Sequence, residues 1–491
     1  MTNGKWPMAE PQLVIGIWSL VIREHVMSNQ PDLQWRGKQV TVVGLARSGV
    51  AACKVLAAGG ATVTGTDRSP RERLPADLAL LEEAGVRLET GAHRRESFLT
   101  ADLIVVSPGV PTEMPLLAEA RAHGIPVWGE VELASHLCSA RFLGITGSNG
   151  KSTTVSLLGE MLRAAGYPTV VAGNIGTALC EVVPPLTASH WVVAELSSFQ
   201  LETIVSFRPH VALLLNLVPD HLDRYPDLDS YYAAKARIFL NQTAADFAVL
   251  NADDPPTLAW ARGVAARPLL FSRTRRVEEG ACVEEDRLVL RREGKSDPVC
   301  RVGEIRIQGL HNLENALAAA AASSAIGASP RALAEALARF PGLPHRLELV
   351  AELDGVRYIN DSKGTNVGAV VKSLEGFSRG VVLIAGGKDK GGDFTPLRPL
   401  LETRVNTLLL LGQARAKMRE QLLGACPMEE VTSMEEAVTR GAEIARRGDT
   451  VLLSPACASF DMFRDFEHRG DVFREAVQAL AVRRRTDGRT R

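Results

Sequence analysis

Residues Gly144–Thr153 read GITGSNGKST: a strand end, a glycine-studded turn, and a Lys-Ser-Thr that opens a helix. Such a loop turns backbone N–H groups toward phosphate oxygens, with Lys151 reaching the outer phosphates and the Ser152 hydroxyl holding Mg²⁺. Gly147, Ser148, Asn149, Gly150 and Thr153 complete the candidate cradle. A general phosphate loop places a glycine five positions before its final Gly-Lys; here that position is Ile145 and the glycine is Gly147. The shortened T-G-x-x-G-K-S spacing points to one kind of ATP-using loop, and a chance glycine turn is the competing reading of so short a motif. Two further strand ends carry charge chemistry. WVVAELSSFQLE (Trp191–Glu202) runs from an apolar strand into Glu195, and VALLLNLVPDHLDRY (Val211–Tyr225) delivers Asn216, Asp220, His221 and Asp223. One carboxylate at such an edge serves equally as a helix cap. Two strand ends converging beside a Lys-Ser loop fit oxygen and imidazole ligation of Mg²⁺.

The elements that must hold these groups alternate strand and helix. Gln39–Ser69 reads as a β-turn-α-β unit with buried apolar strands and an Ala-rich helix. Its turn, GLARSG, is not a dinucleotide fingerprint: Ala46 occupies the position of the glycine that lets a pyrophosphate approach the backbone. The helix start at Arg47 and Ser48 still suits a diphosphate. Asp67, with Arg68 beside it, ends the next strand within reach of a ribose or base. ADLIVVSPGV (Ala101–Val110) is a further strand, ending in the turn Ser107, Pro108, Gly109. A second α/β block begins near Glu130 and carries the phosphate loop. Between Asp253 and Gln308 the pattern breaks into short charged strands, read as a peripheral hairpin region. Gly309–Gly327 is an Ala-rich helix whose polar start, including Asn315, either packs on a nucleotide base or satisfies the helix end. PGLPHRLE (Pro341–Glu348) reads as a linker, and four apolar strands beyond it each end in a Gly- or Ser-rich turn. The expected fold class is α/β, with mostly parallel sheets whose functional turns share one edge.

A chain of 491 residues implies about three domains. A net charge of −1 supplies no drive toward nucleic acid or anionic membrane. The seven cysteines are scattered and form no CxxC pair, which argues for reduced cytoplasmic thiols and against a zinc site or disulfide framework. LVIGIWSLVI (Leu13–Ile22) is about half the length of a bilayer span and lacks signal-peptide flanks. It reads as part of an accessory extension without stable membrane insertion. VRRRTDGRTR (Val482–Arg491) reads as a solvated, disordered basic tail.

Taken in order, TGSNGKS, ELSSFQLE, NLVPDHLDRY with Lys235 following, HNLENA, PHRLE, NDSKGTN, GGKDKG and SPACASFDMF resemble the Mur ligases, the ATP-dependent amino-acid-adding enzymes of peptidoglycan synthesis. The resemblance covers residues 37 to about 480 and implies three domains. These are a Rossmann-like domain for the UDP substrate (37–129), a central ATP-binding domain (130–342) and a Rossmann-like C-terminal domain for amino acid and ATP (343–482). An extension (1–36) and a basic tail (483–491) flank them. It implies a cytoplasmic, monomeric ligase that adds D-glutamate to UDP-N-acetylmuramoyl-L-alanine through an acyl phosphate and a tetrahedral intermediate, releasing ADP and phosphate. On this match the catalytic residues are Lys151, Glu195, His221 and Lys235. ATP meets the Lys151 loop with Asn315, His345, Arg346, Asp361 and Lys363. Two Mg²⁺ ions take Ser152, Glu195, His221 and Lys235, the last as a CO₂-derived carbamate. By itself a helical lysine such as Lys235 reads as a solvated charge; the carbamate is implied by the resemblance alone. The UDP substrate meets Arg47, Ser48, Asp67, Arg68, Ser107, Pro108, Gly109, Asn174, Gln200 and His221; D-glutamate meets Thr365, Lys390, Ser459, Phe460 and Phe466. Gly364 stands where the family often has alanine, and Ala46 replaces a common glycine.

Three other readings compete. A sister ligase adding a different amino acid, or acting on folates, shares the phosphate loop, the histidine and the lysine. The SPACASFDMF turn, and the lack of a DNPR-type motif, favour the D-glutamate branch. A nicotinamide dehydrogenase built on Gln39–Asp67 leaves Lys151 and Lys235 without purpose. A non-catalytic nucleotide-binding regulator would be expected to have lost Lys151, Glu195, His221 or Lys235, and all four are present.

Overall fold

Three sheets built mainly of parallel strands carry the chain in the computed structural model, which describes residues 35–75, 77–219, 224–307, 309–389 and 391–487. The first sheet contains β1 (Gln39–Val43), β2 (Thr62–Asp67), β3 (Arg87–Thr90), β4 (Leu103–Val106) and β5 (Val127–Gly129), in the order β3-β2-β1-β4-β5 and parallel throughout. The winding reverses between β1 and β4, so the turns after these two strands open into one crevice. Ser107 Oγ donates to the Gly44 carbonyl across it, at 2.7 Å. The helix Arg47–Ala58 closes tightly on the first strand, because a Cβ added to Gly49 would lie 1.8 Å from the Gly44 oxygen. Gly49→Ala is therefore expected to cost about 3 kcal/mol or more. Gly303→Ala, with nothing within 4 Å of its added Cβ, should be nearly neutral; comparing the two unfolding midpoints checks the claim.

The second sheet contains β6 (Arg141–Thr146), β7 (Thr169–Gly173), β8 (Trp191–Glu195), β9 (Val211–Leu214), β10 (Phe247–Asn251), β11 (Arg267–Ser272), β12 (Gly280–Glu284), β13 (Arg287–Arg292) and β14 (Lys295–Arg301). Their order is β14-β13-β12-β11-β10-β9-β6-β8-β7. β8 and β9 are apolar along nearly their whole length and buried at every position, as a parallel strand covered on both faces requires. The segment read as a peripheral hairpin does contain antiparallel pairs, β12–β13 and β13–β14, but β12 also pairs in parallel with β11. It is thus the outer edge of the central sheet rather than an appendage. Leu288, Val289 and Leu290 are buried together with Arg291, between the exposed Arg287 and Arg292, and those terminal charges mask the strand in the sequence. One hydrophobic cluster runs from Val40 and Leu56 of the first sheet's layers to Phe142, Leu196 and Ile238 of the second. The two sheets accordingly belong to one compact unit, which ends at Ile305 and takes back Glu314–Phe340.

The second unit comprises Arg306–Leu313 and the chain from Pro341 onward. Its sheet contains β15 (Glu348–Leu353), β16 (Val356–Asn360), β17 (Val381–Gly386), β18 (Val405–Leu411), β19 (Met428–Glu430) and β20 (Thr450–Leu453), in the order β15-β16-β20-β17-β18-β19. Only β15 is antiparallel to its neighbour. Alternate residues feed two cores, Leu383, Leu410 and Leu452 with Phe394 on one face, and Val382, Leu409 and Val451 with Phe473 on the other. The last helix runs Phe466–Asp487, which corrects the expectation of a disordered tail from Val482. Arg484 within it pairs with Asp354 and donates to the Ala442 carbonyl, partners too distant in sequence for a local pattern to show. Residues 488–491 and the Leu13–Ile22 segment lie outside the described residues. Among the described residues no helix is long and apolar enough to cross a membrane.

Candidate active site

β6 delivers the chain into Gly147–Gly150, and the helix Lys151–Ala164 starts at once. Two backbone conformations demand glycine here: φ is +145° at Gly147 and +84° at Gly150, and a Cβ on Gly150 would lie 2.3 Å from Asn315 Oδ1. The helix has no side-chain cap and no acidic residue in its first turn, so its leading N–H groups favour an incoming anion. Asn216, from the end of β9, clamps the loop: Oδ1 accepts from the Asn149 N–H at 2.8 Å and Nδ2 donates to the Asn149 carbonyl at 3.1 Å. Ser148 Oγ donates to the Val218 carbonyl at 2.9 Å and accepts from the Val218 N–H at 3.1 Å. The sequence placed Asn216 at a strand end; its clamping role needed the β6–β9 pairing.

Lys151 Nζ donates to the carbonyls of Gly147 (2.8 Å) and Ser148 (3.0 Å). Lys235 Nζ donates to the same Gly147 oxygen at 2.9 Å and lies over the Tyr231 ring, 4.7 Å from its centre. Lys235 is 2% exposed, not the solvated charge that its helical setting suggested. The helix that carries it, Leu228–Ala236, is capped by Asp227, which accepts from the Ser230 N–H. Two ammonium groups gathered on one carbonyl make a strong field for anionic oxygen.

Glu195 ends β8 beside Ile145 of β6 and Gly173 of β7 and is buried. Its Oε1 accepts from Asn174 Nδ2 at 2.9 Å, while its Oε2 has no hydrogen-bond partner among the described residues, and neither has Thr146 Oγ1. A buried carboxylate oxygen in that condition is the kind of group a hard cation satisfies. With Ser152 buried at the start of the neighbouring helix, the donor chemistry fits Mg²⁺. His221 lies outside the described residues. Among those described, no three His, Cys, Asp or Glu side chains form a ready cluster, so the cation would draw on hydroxyl and substrate oxygens as well. Gln200 closes a capping box with Ser197, its Oε1 accepting from the Ser197 N–H at 2.9 Å. Burial pushes the thiols of Cys53 and Cys457 up to about 12.

The crevice of the first sheet is a cavity of about 660 Å³. Arg47, Ser48, Asp67, Arg68, Ser107, Pro108 and Gly109 all line it, as does His93, which the sequence did not single out. Burial acts to raise the Asp67 carboxyl, but the N–H groups of Leu45 and Ser69, each at 2.8 Å, prevail and hold it below the usual carboxylate range. His93 Nδ1 lies 2.9 Å from Thr66 Oγ1, and burial lowers its imidazole below the ordinary histidine range against the pull of Asp67. Asn174 bonds to Glu195 and Gln200 to Ser197, and neither is among the residues lining this cavity.

In the second unit, Lys363 Nζ lies 3.6 Å from the centre of the Phe466 ring, and its N–H donates to the His345 carbonyl at 3.0 Å. His345 has φ +61°, is buried, and places Nδ1 3.0 Å from Asn360 Nδ2. Thr365 donates its N–H to the Lys363 carbonyl. Ser459 is buried and Phe460 is 65% exposed. Lys390 lies outside the described residues. Arg469, which no sequence motif marked, is 1% exposed and donates to Ser362 Oγ (2.9 Å), the Ser362 carbonyl (2.8 Å) and the Cys457 carbonyl (3.1 Å). It ties the turn after β16 to the turn after β20. Burial lowers its pKa to about 10, still cationic at physiological pH.

Asp361 faces inward: its Oδ2 accepts from Ser373 Oγ (2.6 Å) and Ser454 Oγ (2.7 Å). Burial pushes its carboxyl up to about 6 against those hydrogen bonds and the nearby charge of Arg346. Between about pH 4 and pH 6 the native state retains this proton after the unfolded chain has lost it. Stability from this group is complete below about pH 4 and is lost as pH rises through about 6. Asp361→Asn removes the titration, so its unfolding midpoint should depend less on pH across that window. Parallel midpoint curves for the two proteins would refute the assignment.

Family descriptions match the chain in three consecutive stretches: "Mur ligase MurD-like, N-terminal domain" over residues 38–129, "Mur ligase middle domain" over 145–323 and "Mur ligase, glutamate ligase domain" over 345–457. The chain is 45% identical over 446 residues to the UDP-N-acetylmuramoylalanine--D-glutamate ligase of Koribacter versatilis, covering 91% of this chain and 98% of that protein. It is 48% identical over 449 residues to the ligase of the same name from Geobacter sp. strain M21, covering 91% and 99%. Among solved structures, a pseudomurein peptide ligase type C from Methanothermus fervidus is similar with a TM-score of 0.58 and 18% identity, over 90% of this chain and all of that one. That last likeness is one of fold.

Proposed function

This chain belongs to the Mur ligase family, and from that premise we propose that it joins D-glutamate to the L-alanyl carboxylate of UDP-N-acetylmuramoyl-L-alanine with cleavage of ATP to ADP and phosphate. The observation that carries the reading is Lys151, bonded to the Gly147 and Ser148 carbonyls of the glycine loop, whose strand β6 pairs with the strand ending at the buried Glu195. The substrate carboxylates and the triphosphate are all anions, so cations must dominate such a site.

A carboxylate oxygen of the substrate attacks the γ-phosphorus, the bond to the β-phosphate oxygen breaks, and ADP departs. Lys151 and the N–H groups at the start of the helix Lys151–Ala164 hold the phosphate oxygens as charge shifts during that transfer. The amine of D-glutamate then adds to the acyl carbon. The tetrahedral intermediate collapses as the C–O bond to phosphate breaks, and the ammonium proton passes to solvent. When bound, Mg²⁺ neutralises charge between neighbouring phosphate oxygens. Ser152, Glu195, His221 and Lys235, the last as a carbamate in place of its ammonium, would hold two such ions. The cavity lined by Arg47, Asp67 and Ser107 takes the UDP group, and Asn174 and Gln200 attend the muramoyl end. Asn315, His345, Arg346, Asp361 and Lys363 serve ATP; Thr365, Lys390, Ser459, Phe460 and Phe466 serve D-glutamate. The domain limits that go with these roles are 37–129, 130–342 and 343–482, in a cytoplasmic enzyme of cell-wall precursor synthesis.

The test is phosphate release by the purified protein given ATP, Mg²⁺, UDP-N-acetylmuramoyl-L-alanine and D-glutamate, each omitted in turn. Release that needs all four, with L-glutamate inactive, is the expected result. Release with a different amino acid moves the chain to a sister ligase, and none at all, even with bicarbonate added, removes the catalytic reading.

A further inference from the structure

Arg47 begins the helix Arg47–Ala58 and lines the first sheet's cavity, yet its guanidinium is engaged elsewhere. It donates through Nη2 to the Gly173 carbonyl at 3.2 Å and through Nη1 to the Gly176 carbonyl. Gly173 ends β7 directly opposite Glu195 of β8. With φ at +111°, it approaches so closely that an added Cβ would lie 2.4 Å from the Glu195 carbonyl oxygen. The next residue, Asn174, donates its N–H to that same oxygen at 2.9 Å and its Nδ2 to Glu195 Oε1 at 2.9 Å. The other carboxylate oxygen is the buried one without a partner among the described residues. One arginine thus lines the cavity while its guanidinium holds the turn that orients the candidate cation ligand.

We propose that Arg47 is a positioning residue that couples occupancy of the nucleotide cavity to cation binding at Glu195. The proposal rests on the functional reading above. A guanidinium carries five N–H donors, and its bonds to the Gly173 and Gly176 carbonyls leave capacity for more. A diphosphate seated at the start of the helix supplies charged acceptors for the remainder, which are stronger partners than carbonyls. With both sides satisfied, the arginine is fixed, the 173–176 turn with it, and Asn174 holds Glu195 in one orientation with Oε2 directed at the cation. The coupling is positive, and by linkage the cation must tighten the nucleotide by the same factor. This explains what an arginine does at a turn that lacks a glycine of the dinucleotide pattern: its reach extends beyond the phosphate it meets.

The experiment measures Mn²⁺ affinity by the loss of free-ion EPR signal, on the full chain with ADP present, with and without saturating UDP. In the wild type UDP should tighten Mn²⁺ by about fivefold or more. In Arg47→Leu the ratio should fall to near one. Asn174→Ala should also lose the ratio while keeping the wild-type affinity for UDP measured without Mn²⁺, which separates coupling from loss of the nucleotide site. Unfolding midpoints of both variants establish that each is folded. A wild-type ratio near one, or a full ratio in either folded variant, overturns the coupling. The phosphate-release assay separates the two proposals: turnover with an uncoupled Mn²⁺ site sinks this one alone, whereas a wild type that binds no UDP sinks both.

Discussion

Lys151→Ala is expected to lower kcat by about 10³-fold while leaving the protein folded. The bonds that Lys151 makes to Gly147 and Ser148 lie within its own loop, and Asn216 clamps that loop independently through Asn149. Little of the fold therefore depends on the ammonium group. The transferred phosphoryl group depends on it heavily, because the loop is where its spreading charge meets fixed donors, and removal of one such donor commonly costs about 10² to 10³ in rate, or about 3 to 4 kcal/mol. Lys235 does not replace it: that side chain is buried and stacked on Tyr231, on a helix fixed by its Asp227 cap. Steady-state phosphate release with a parallel unfolding curve is the measurement. A variant with more than about a tenth of wild-type turnover would remove Lys151 from the chemistry.

Glu195→Gln should separate activity from stability. Glutamine keeps an oxygen for Asn174 Nδ2 and fits the same volume, but it removes the charge that a cation needs. We expect kcat to fall by about 10²-fold or more and the Mg²⁺ concentration for half-maximal rate to rise. The unfolding midpoint should hold or increase, since a carboxylate that is buried with one oxygen unpartnered among the described residues is costly in the folded state. A residue kept for packing would show the reverse, with turnover preserved and a lowered midpoint. A drop in both quantities together would show that the carboxylate holds the strand ends in place rather than serving a cation.

Much of this site could be read directly from the chain. The phosphate loop is a contiguous string, and Glu195 follows an unbroken apolar strand, so a local pattern was enough to find both. The cavity residues of the first sheet were equally accessible, because an open α/β sheet brings the turns after β1 and β4 to one place by topology alone. What escaped were roles set by distant partners. Nothing near Arg47 announces a contact with Gly173, and Arg469 reads as one more surface arginine until the turns at Ser362 and Cys457 close around it. The strands from Gly280 to Arg301 were visible, but their membership in the central sheet came from β11 pairing with β12. Arg484 extended the last helix through an ion pair across 130 positions of sequence. In each case residue type was informative and the identity of the neighbour was not.

The two glycines of the phosphate loop have a consequence for inhibition. Gly150 combines a left-handed backbone with an Asn315 oxygen at 2.3 Å from any added Cβ, and Gly147 has φ +145° with Leu215 at 3.0 Å. Any side chain at either position strains the main chain and displaces a neighbour. A compound that takes most of its affinity from the main-chain atoms of these two glycines binds atoms every amino acid possesses, at positions where almost no other amino acid fits. Escape by point substitution is closed there, whereas a compound held by exposed side chains such as Phe460 leaves many routes to resistance.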